Sequence, residues 1–179
     1  MPIELERPTI LRETEFLDAV RASRKLHRGL VSPPATPDRY RAYLQTLRAN
    51  NRESFFVVVQ ASDTLAGVIT LSEIVRGSLQ SAYLGYYALE PHGGAGYVRE
   101  GLLKVIAHAF GKLKLHRLEA NIQPANLRSL SLAKGLGFRR EGYSCRYLKV
   151  CGRWRDHERW ALLAEWRHST SPGRGPPDQ

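Results

Sequence analysis

Gly93, Gly94 and Gly96 fall within four residues, directly ahead of the apolar run YVREGLLKVIAHAF. Glycine reaches positive φ and lets the backbone approach another group closely. A helix start adds unpaired N–H groups and the positive end of the macrodipole. A glycine turn that opens a helix is therefore suited to seat an anion, most often a phosphate. A second helix start lies at Asn126, a good N-cap residue, with Ser129 three positions later in the first turn. A hydroxyl there sits beside a dipole end that favours negative charge.

Two familiar phosphate loops fail on inspection. A dinucleotide fingerprint G-x-G-x-x-G from Gly94 needs glycine at 99, where Arg99 stands. A nucleotide P-loop from Gly96 reaches its second glycine at Gly101, but Leu102 and Leu103 follow where Lys and Ser/Thr are required. Without that lysine and hydroxyl, phosphoryl transfer lacks its main parts.

The elements that must position these residues read from pattern. Thr14 is the expected cap of a first helix ending near Lys25, and VSPPATPD (31–38) is a proline-rich loop. Thr36 then caps a helix carrying Tyr40, Tyr43, Leu44 and Leu47 at helical spacing. Strands follow at 54–60, 65–72 and 81–89, rich in β-branched and aromatic residues. The glycine turn and a helix over about 96–113 come next. In LHRLEANI (115–122), Leu118, Ala120 and Ile122 alternate with polar residues, as in a strand with one buried face. A short helix from Asn126 to Gly137 and two strands, about 138–150 and 157–163, complete a mixed α/β order.

The chain has 179 residues, 42 % of them hydrophobic, enough for one domain with a sizeable core, expected over 1–168. The segment STSPGRGPPDQ (169–179) has the composition of a disordered tail. No apolar run approaches the roughly 20 residues that cross a bilayer, and the N-terminus lacks a signal-peptide layout. Cys145 and Cys151 form no metal spacing or disulfide framework, so reduced thiols, no metal site, no membrane partner and a cytoplasmic setting are expected. The 27 basic against 17 acidic residues leave a net charge of +10, a surface that attracts polyanions, RNA or a ribosomal particle included, without identifying them.

Taken together, RGSLQSAYLGY (76–86), GGAGYVREGL (93–102), HRLEANIQPANLRSLSLAKGLGFRREGY (116–143) and GRWRDH (152–157) resemble the GNAT acyl-CoA N-acetyltransferase superfamily, and within it the RimJ/RimL-type ribosomal-protein alanine N-acetyltransferases. The resemblance covers most of the chain and is weakest before about Ser54. It implies a mostly antiparallel sheet flanked by helices, with a splayed central strand pair. It also implies that backbone N–H groups around Gly93, Gly94, Ala95, Gly96 and Tyr97 cradle the pyrophosphate of acetyl-CoA, with Asn126 and Ser129 on the same cosubstrate. One departure is Pro91, where the family usually has Gln or Arg. One phosphate contact is then either lost or made by His92 or a basic neighbour, and CoA binding is expected to be weaker but not absent.

A thioester is already activated, so the site needs only a neutral amine held near the carbonyl, a donor for the oxyanion and a proton for the departing thiolate. An α-amino group titrates near ~7.7–8.0, against ~10.4 for lysine, so a protein N-terminus needs little help from a base. Ser129 is the candidate donor to the thiolate, and Glu73 the candidate base. Glu141 reads instead as a partner for Arg139 or Arg140, His157 as part of the terminal hairpin, and Tyr86 and Tyr87 as channel walls. The implied acceptor is the N-terminus of a protein, a ribosomal one by the same resemblance, reached by a monomer or a homodimer. A small amine, or a CoA- or ribosome-binding module with little catalysis, are the alternatives.

Overall fold

The computed structural model describes residues 2–167; the expected tail at 169–179, and both ends of the expected 1–168 domain, lie outside them. Among the described residues, seven strands form one sheet in the order β1-β2-β3-β4-β5-β7-β6. The strands are β1 (Ile3–Glu6), β2 (Glu53–Val59), β3 (Thr64–Val75), β4 (Ser81–Ala88), β5 (Arg117–Ile122), β6 (Arg139–Val150) and β7 (Arg153–Leu163). All neighbours are antiparallel except β4 and β5, which are parallel. This is the mixed, mostly antiparallel sheet the sequence implied.

Five helices surround it: α1 (Glu13–Ala22), α2 (Arg24–His27), α3 (Pro37–Thr46), α4 (Tyr97–Gly111) and α5 (Leu127–Gly135). Alternation along β2 shows how they divide. Phe56 and Val58 face α1 and α3 in a core with Phe16, Tyr40 and Leu89, while Phe55, Val57 and Val59 face α4 in a second core with Leu102, Val105 and Ile106. The second core runs on beneath α5 through Leu118, Ala120, Ile122 and Ala133.

Several local expectations need correction. Thr14 lies inside α1 and does not cap it; Arg12 occupies the N-cap position, pairing with Glu6, Glu15 and Asp63 at 2.6–2.9 Å. β1 was not foreseen, because a four-residue strand is too short to show a period. β3 runs on past Ser72 through a bulge in which Glu73 takes φ 48°. β7 begins at Arg153 because a tight turn with positive φ at both Cys151 and Gly152 lets pairing start immediately. Thr36 does cap α3, its side chain accepting from the Arg39 N–H at 3.4 Å.

Helix α4 sits unusually close to the sheet at Gly101, where an added Cβ would stand 2.7 Å from Val57 and 2.8 Å from Ile69. That closeness sets the depth at which the helix start meets the sheet edge. Gly101→Val is expected to cost about 1–3 kcal/mol by overpacking, read as a lower urea midpoint at unchanged slope.

Candidate active site

β4 and β5 pair only at Ser81–Tyr83 with Arg117–Glu119, and beyond this they part. A cleft of about 1110 Å³ opens there, walled by Tyr86 and Tyr87 of β4, the glycine turn, the start of α5 and the segment after α1. Alternation sends Tyr86 to the α4/α5 face and Tyr87 to the α1/α3 face. Burial raises the pKa of both phenols, Tyr87 further, and for Tyr86 a hydrogen bond to Ser129 opposes the rise.

The glycine turn is shaped by Gly94 (φ +83°) and by Gly96 (φ +89°), the N-cap of α4. These left-handed values are cheap only for glycine. The N–H groups of Gly94, Gly96, Tyr97, Val98 and Arg99 find no backbone acceptor among the described residues. Ala95 is different: its N–H is given to the His92 carbonyl at 3.2 Å and is not free for a phosphate. Gly93 stands behind the wall, where a Cβ would meet the Glu90 carboxylate at 3.0 Å. His92 lines the cleft, but its Nε2 is engaged with Thr64 Oγ1 at 2.9 Å.

At the start of α5, Asn126 Oδ1 accepts from the Ser129 N–H at 3.2 Å, the capping bond that its position implied. The Ser129 carbonyl accepts from the Tyr86 hydroxyl at 3.3 Å, tying β4 to α5 across the gap. Ser129 Oγ has no hydrogen-bond partner among the described residues and lies on a residue that lines the cleft. The structure thus brings together the turn glycines, Asn126 and Ser129.

It does not bring Glu73 to them. Glu73 is exposed in the β3 bulge between Ser72, opposite Tyr83, and Val75, opposite Ser81, at the closed end of the β4–β5 pair. Glu141 is in an ion pair with Arg117 (Nη1 to Oε1, 3.1 Å), a hydrogen bond that holds its pKa down, while Arg140 pairs with Glu158 at 3.0 Å. His157 is buried, with Nδ1 2.9 Å from the Arg155 carbonyl, and Cys145 and Cys151 are exposed free thiols. Among the described residues no group of three or more His, Cys, Asp or Glu converges as a metal site, and no helix is long and apolar enough to cross a membrane.

Sequence reasoning missed two cleft residues, Arg99 and Arg128, in the first turns of α4 and α5. A cation at that end of a helix opposes the macrodipole; in α4 Glu100 stands beside Arg99, whereas the first turn of α5 carries Arg128 with no acidic residue, which was a readable sign of an anion there. Also missed was a strap over 23–31 on the far face. Ser23 Oγ accepts from the Glu90 N–H at 2.9 Å and His27 Nε2 meets the Ala88 carbonyl at 2.7 Å, both at the end of β4. Gln123, just past β5, donates from Nε2 to the Gly29 carbonyl at 3.0 Å.

A parallel strand pair opened at its C-terminal end, between two helix starts, is the arrangement of an acyl-CoA acetyltransferase. The family model described as the acetyltransferase (GNAT) domain matches residues 4–139, and the chain belongs to that family. It is 36 % identical over 121 residues to the probable N-acetyltransferase YjcK of Bacillus subtilis, covering 68 % of this chain and 67 % of that one. It is 40 % identical over 111 residues to the ribosomal protein uS5-alanine N-acetyltransferase of Escherichia coli, 62 % of this chain but only 55 % of the relative. Mycobacterium smegmatis RimJ, solved in complex with CoA-disulfide, superposes with a TM-score of 0.83 at 26 % identity, covering 91 % of this chain and 82 % of that one. A Vibrio cholerae spermidine N-acetyltransferase with CoA and spermine shares the fold, with TM-score 0.77 at 20 % identity over 91 % and 96 % of the two chains.

Gly94→Asp forces a side chain into the left-handed region and adds negative charge at the turn. Isothermal titration is expected to show acetyl-CoA affinity at least about tenfold weaker, the equivalent of 1.4 kcal/mol, in a variant whose circular dichroism is unchanged.

Proposed function

We propose that the chain transfers acetyl from acetyl-CoA to the N-terminal α-amino group of a protein, ribosomal proteins being the acceptor class, by direct attack in a ternary complex. The observation that carries this reading is the cleft at the parted ends of β4 and β5, with the free N–H groups of α4 and the Ser129 hydroxyl on one wall. Similarity to the E. coli uS5-alanine and M. smegmatis RimJ proteins supports the acceptor class.

Acetyl-CoA supplies an activated acetyl thioester. The N–H groups of Gly94, Gly96 and Tyr97, with Arg99 beside them, suit its pyrophosphate, and the Arg128 side chain adds a second cation at the same cleft. Ser129 Oγ is the group free to give a proton to the leaving sulfur as the C–S bond breaks. The attacking nitrogen, which becomes cationic on forming the C–N bond, loses one proton to solvent, from which Ser129 regains its own, and the positive end of α5 favours the thiolate meanwhile. No carboxylate is assigned as base. An α-amine with a pKa near ~7.7–8.0 is partly neutral at pH 7 and can attack without one. Tyr86 and Tyr87 hold water out of the reacting region.

A small polyamine acceptor is the second reading, favoured by the fold shared with spermidine acetyltransferase and opposed by a net charge of +10, which repels polycations. Transfer of labelled acetyl to an alanine-initiated peptide and to spermidine separates the two. The expected result is peptide acetylation in excess of spermidine; the reverse order would replace the first reading with the second. Ser129→Ala is expected to lower kcat about 10²-fold, within the range for a positioned proton donor, with acetyl-CoA affinity by titration kept within twofold.

A further inference from the structure

β6 is the last strand of the sheet, and its hairpin with β7 is charged almost entirely one way. From Gly142 to His157 four residues are basic, Arg146, Lys149, Arg153 and Arg155, and one, Asp156, is acidic. Asp156 is already committed, its carboxylate accepting from the Tyr143 hydroxyl and from the Arg146 N–H, each at 2.7 Å. Among the described residues none of the four basic side chains has an ion-pair partner, whereas Arg12, Arg117 and Arg140 each do. Cations crowded without partners repel one another and attract an anion.

The same hairpin carries a tryptophan that the fold does not use. Trp160 packs against the core and donates to Glu158 at 3.0 Å, and the Trp166 ring lies 4.1 Å beneath the Arg139 guanidinium. Trp154 stays 61 % exposed, opposite Lys149 across the hairpin, with no ring or hydrogen-bond partner among the described residues. Alternation along β7 puts Trp154, Asp156 and Glu158 on one face. Tyr143, paired with Glu158 and bonded to Asp156, shares that face and is also exposed. Two aromatic rings thus stand on one face of an open ribbon, with Lys149 beside them and Arg153 and Arg155 on the other face.

The partner must bring negative charge and use the rings. A second copy of this chain is repelled by the same cations. The β6 edge is also broken by the bulge between Ser144 and Leu148, where Arg146 takes φ 46°, so it offers another strand no straight ladder. A membrane surface calls for aliphatic side chains next to the aromatic ones, but the exposed Leu148 pairs with Arg155 and lies on the opposite face. An acidic protein segment satisfies the cations and leaves the ring faces idle. Unpaired nucleotides use both features, phosphates on the cations and bases on the rings.

We propose that the tip of the β6–β7 hairpin binds single-stranded RNA, stacking a base on Trp154 and holding phosphates with Lys149, Arg153 and Arg155. The ribbon is one layer thick, so a strand crossing its tip meets cations from both faces. The choice of RNA over DNA rests on the ribosomal-acceptor reading above; the surface itself does not. At the turn, Cys151 Sγ lies 3.9 Å from the carbonyl of Val31, a residue that lines the cleft. RNA held here stands beside the cleft, and an acceptor protein carried on that RNA is brought to the site by its nucleic acid.

The test is fluorescence anisotropy on a labelled single strand of about twelve nucleotides, as RNA and as DNA, over about 50–200 mM KCl. The variants are Trp154→Ala, Trp154→Phe and Lys149→Gln with Arg153→Gln. A control of equal charge is Arg39→Gln with Arg48→Gln, two exposed arginines in and just after α3. Trp154→Ala is expected to weaken RNA binding about tenfold, within the range for one base–aromatic stack, and Trp154→Phe to keep it within about threefold. The Lys149–Arg153 pair is expected to lower the slope of log Kd against log salt by about 1.4, as for two phosphate contacts on a single strand, and the control pair to leave it unchanged. Acetylation of the alanine-initiated peptide and thermal unfolding are expected to be unchanged in every variant.

Equal losses in the hairpin and control pairs would overturn the surface, as would RNA binding that Trp154→Ala leaves untouched. DNA bound as tightly as RNA would overturn the choice of RNA. Flotation with anionic phospholipid vesicles that depends on Trp154, without RNA binding, would overturn it in favour of a membrane. If the chain acetylates spermidine and not the peptide while RNA binding still follows the hairpin variants, the acceptor reading fails alone. Peptide acetylation with no RNA binding overturns the surface alone.

Discussion

The structure depends on a hydrogen-bonded ladder that stops. β4 and β5 share three registered pairs and then part, although both strands continue, to Ala88 and Ile122. Edge groups left unpaired in a sheet interior are costly unless something else satisfies or replaces them. Here the neighbours β3 and β7 hold the outer edges in register along the full length of the gap. The opening is thus fixed from outside, and what lies within it is available to substrate.

Side chains bridge the gap on both faces. On the helix face the Tyr86 hydroxyl reaches the Ser129 carbonyl, joining β4 to the start of α5. On the other face the strap is fastened to β4 through Ser23 and His27 and to the end of β5 through Gln123, with Cys151 of the last hairpin 3.9 Å from the Val31 carbonyl. These are long-range links between otherwise separate elements, and they convert a missing ladder into a walled cleft. Both helix starts then face one space: α4 with uncapped N–H groups and with Arg99 beside Glu100 in its first turn, α5 with the Asn126 cap on the Ser129 N–H and with Arg128 in its first turn. The two arginines oppose the helix dipoles, and an anion between them would turn that opposition into attraction.

Much of this was legible in the sequence, for identifiable reasons. The turn from Gly93 to Gly96 and the Asn126 cap were readable because positive φ and capping each demand a few residue types, and the Leu118–Ala120–Ile122 alternation because one face of β5 is buried. The interruption of pairing after Tyr83 had no signal of its own, since Leu84 to Ala88 has the composition of an ordinary strand; it entered through resemblance. The position of Glu73 at the closed end was not readable, because a bulge extends β3 by residues that read as loop. The bond from the Ala95 N–H to His92 was not readable either, because a turn's internal hydrogen bond is invisible to composition. That buried side-chain atoms of His27 and Asn121 lack partners was beyond reach altogether. A polar residue in a helix or strand does not reveal which of its atoms lacks a partner until the opposite chain segments are in place.

A crystal structure of this chain with acetyl-CoA bound would show whether the parted strands hold the cosubstrate. The account predicts the pyrophosphate within hydrogen-bond distance of the Gly94, Gly96 and Tyr97 N–H groups. It also predicts the pantetheine arm between β4 and β5, and the sulfur nearer to Ser129 than to any other hydroxyl. A cosubstrate bound elsewhere, or a β4–β5 ladder that closes through Ala88 and Ile122, would contradict it.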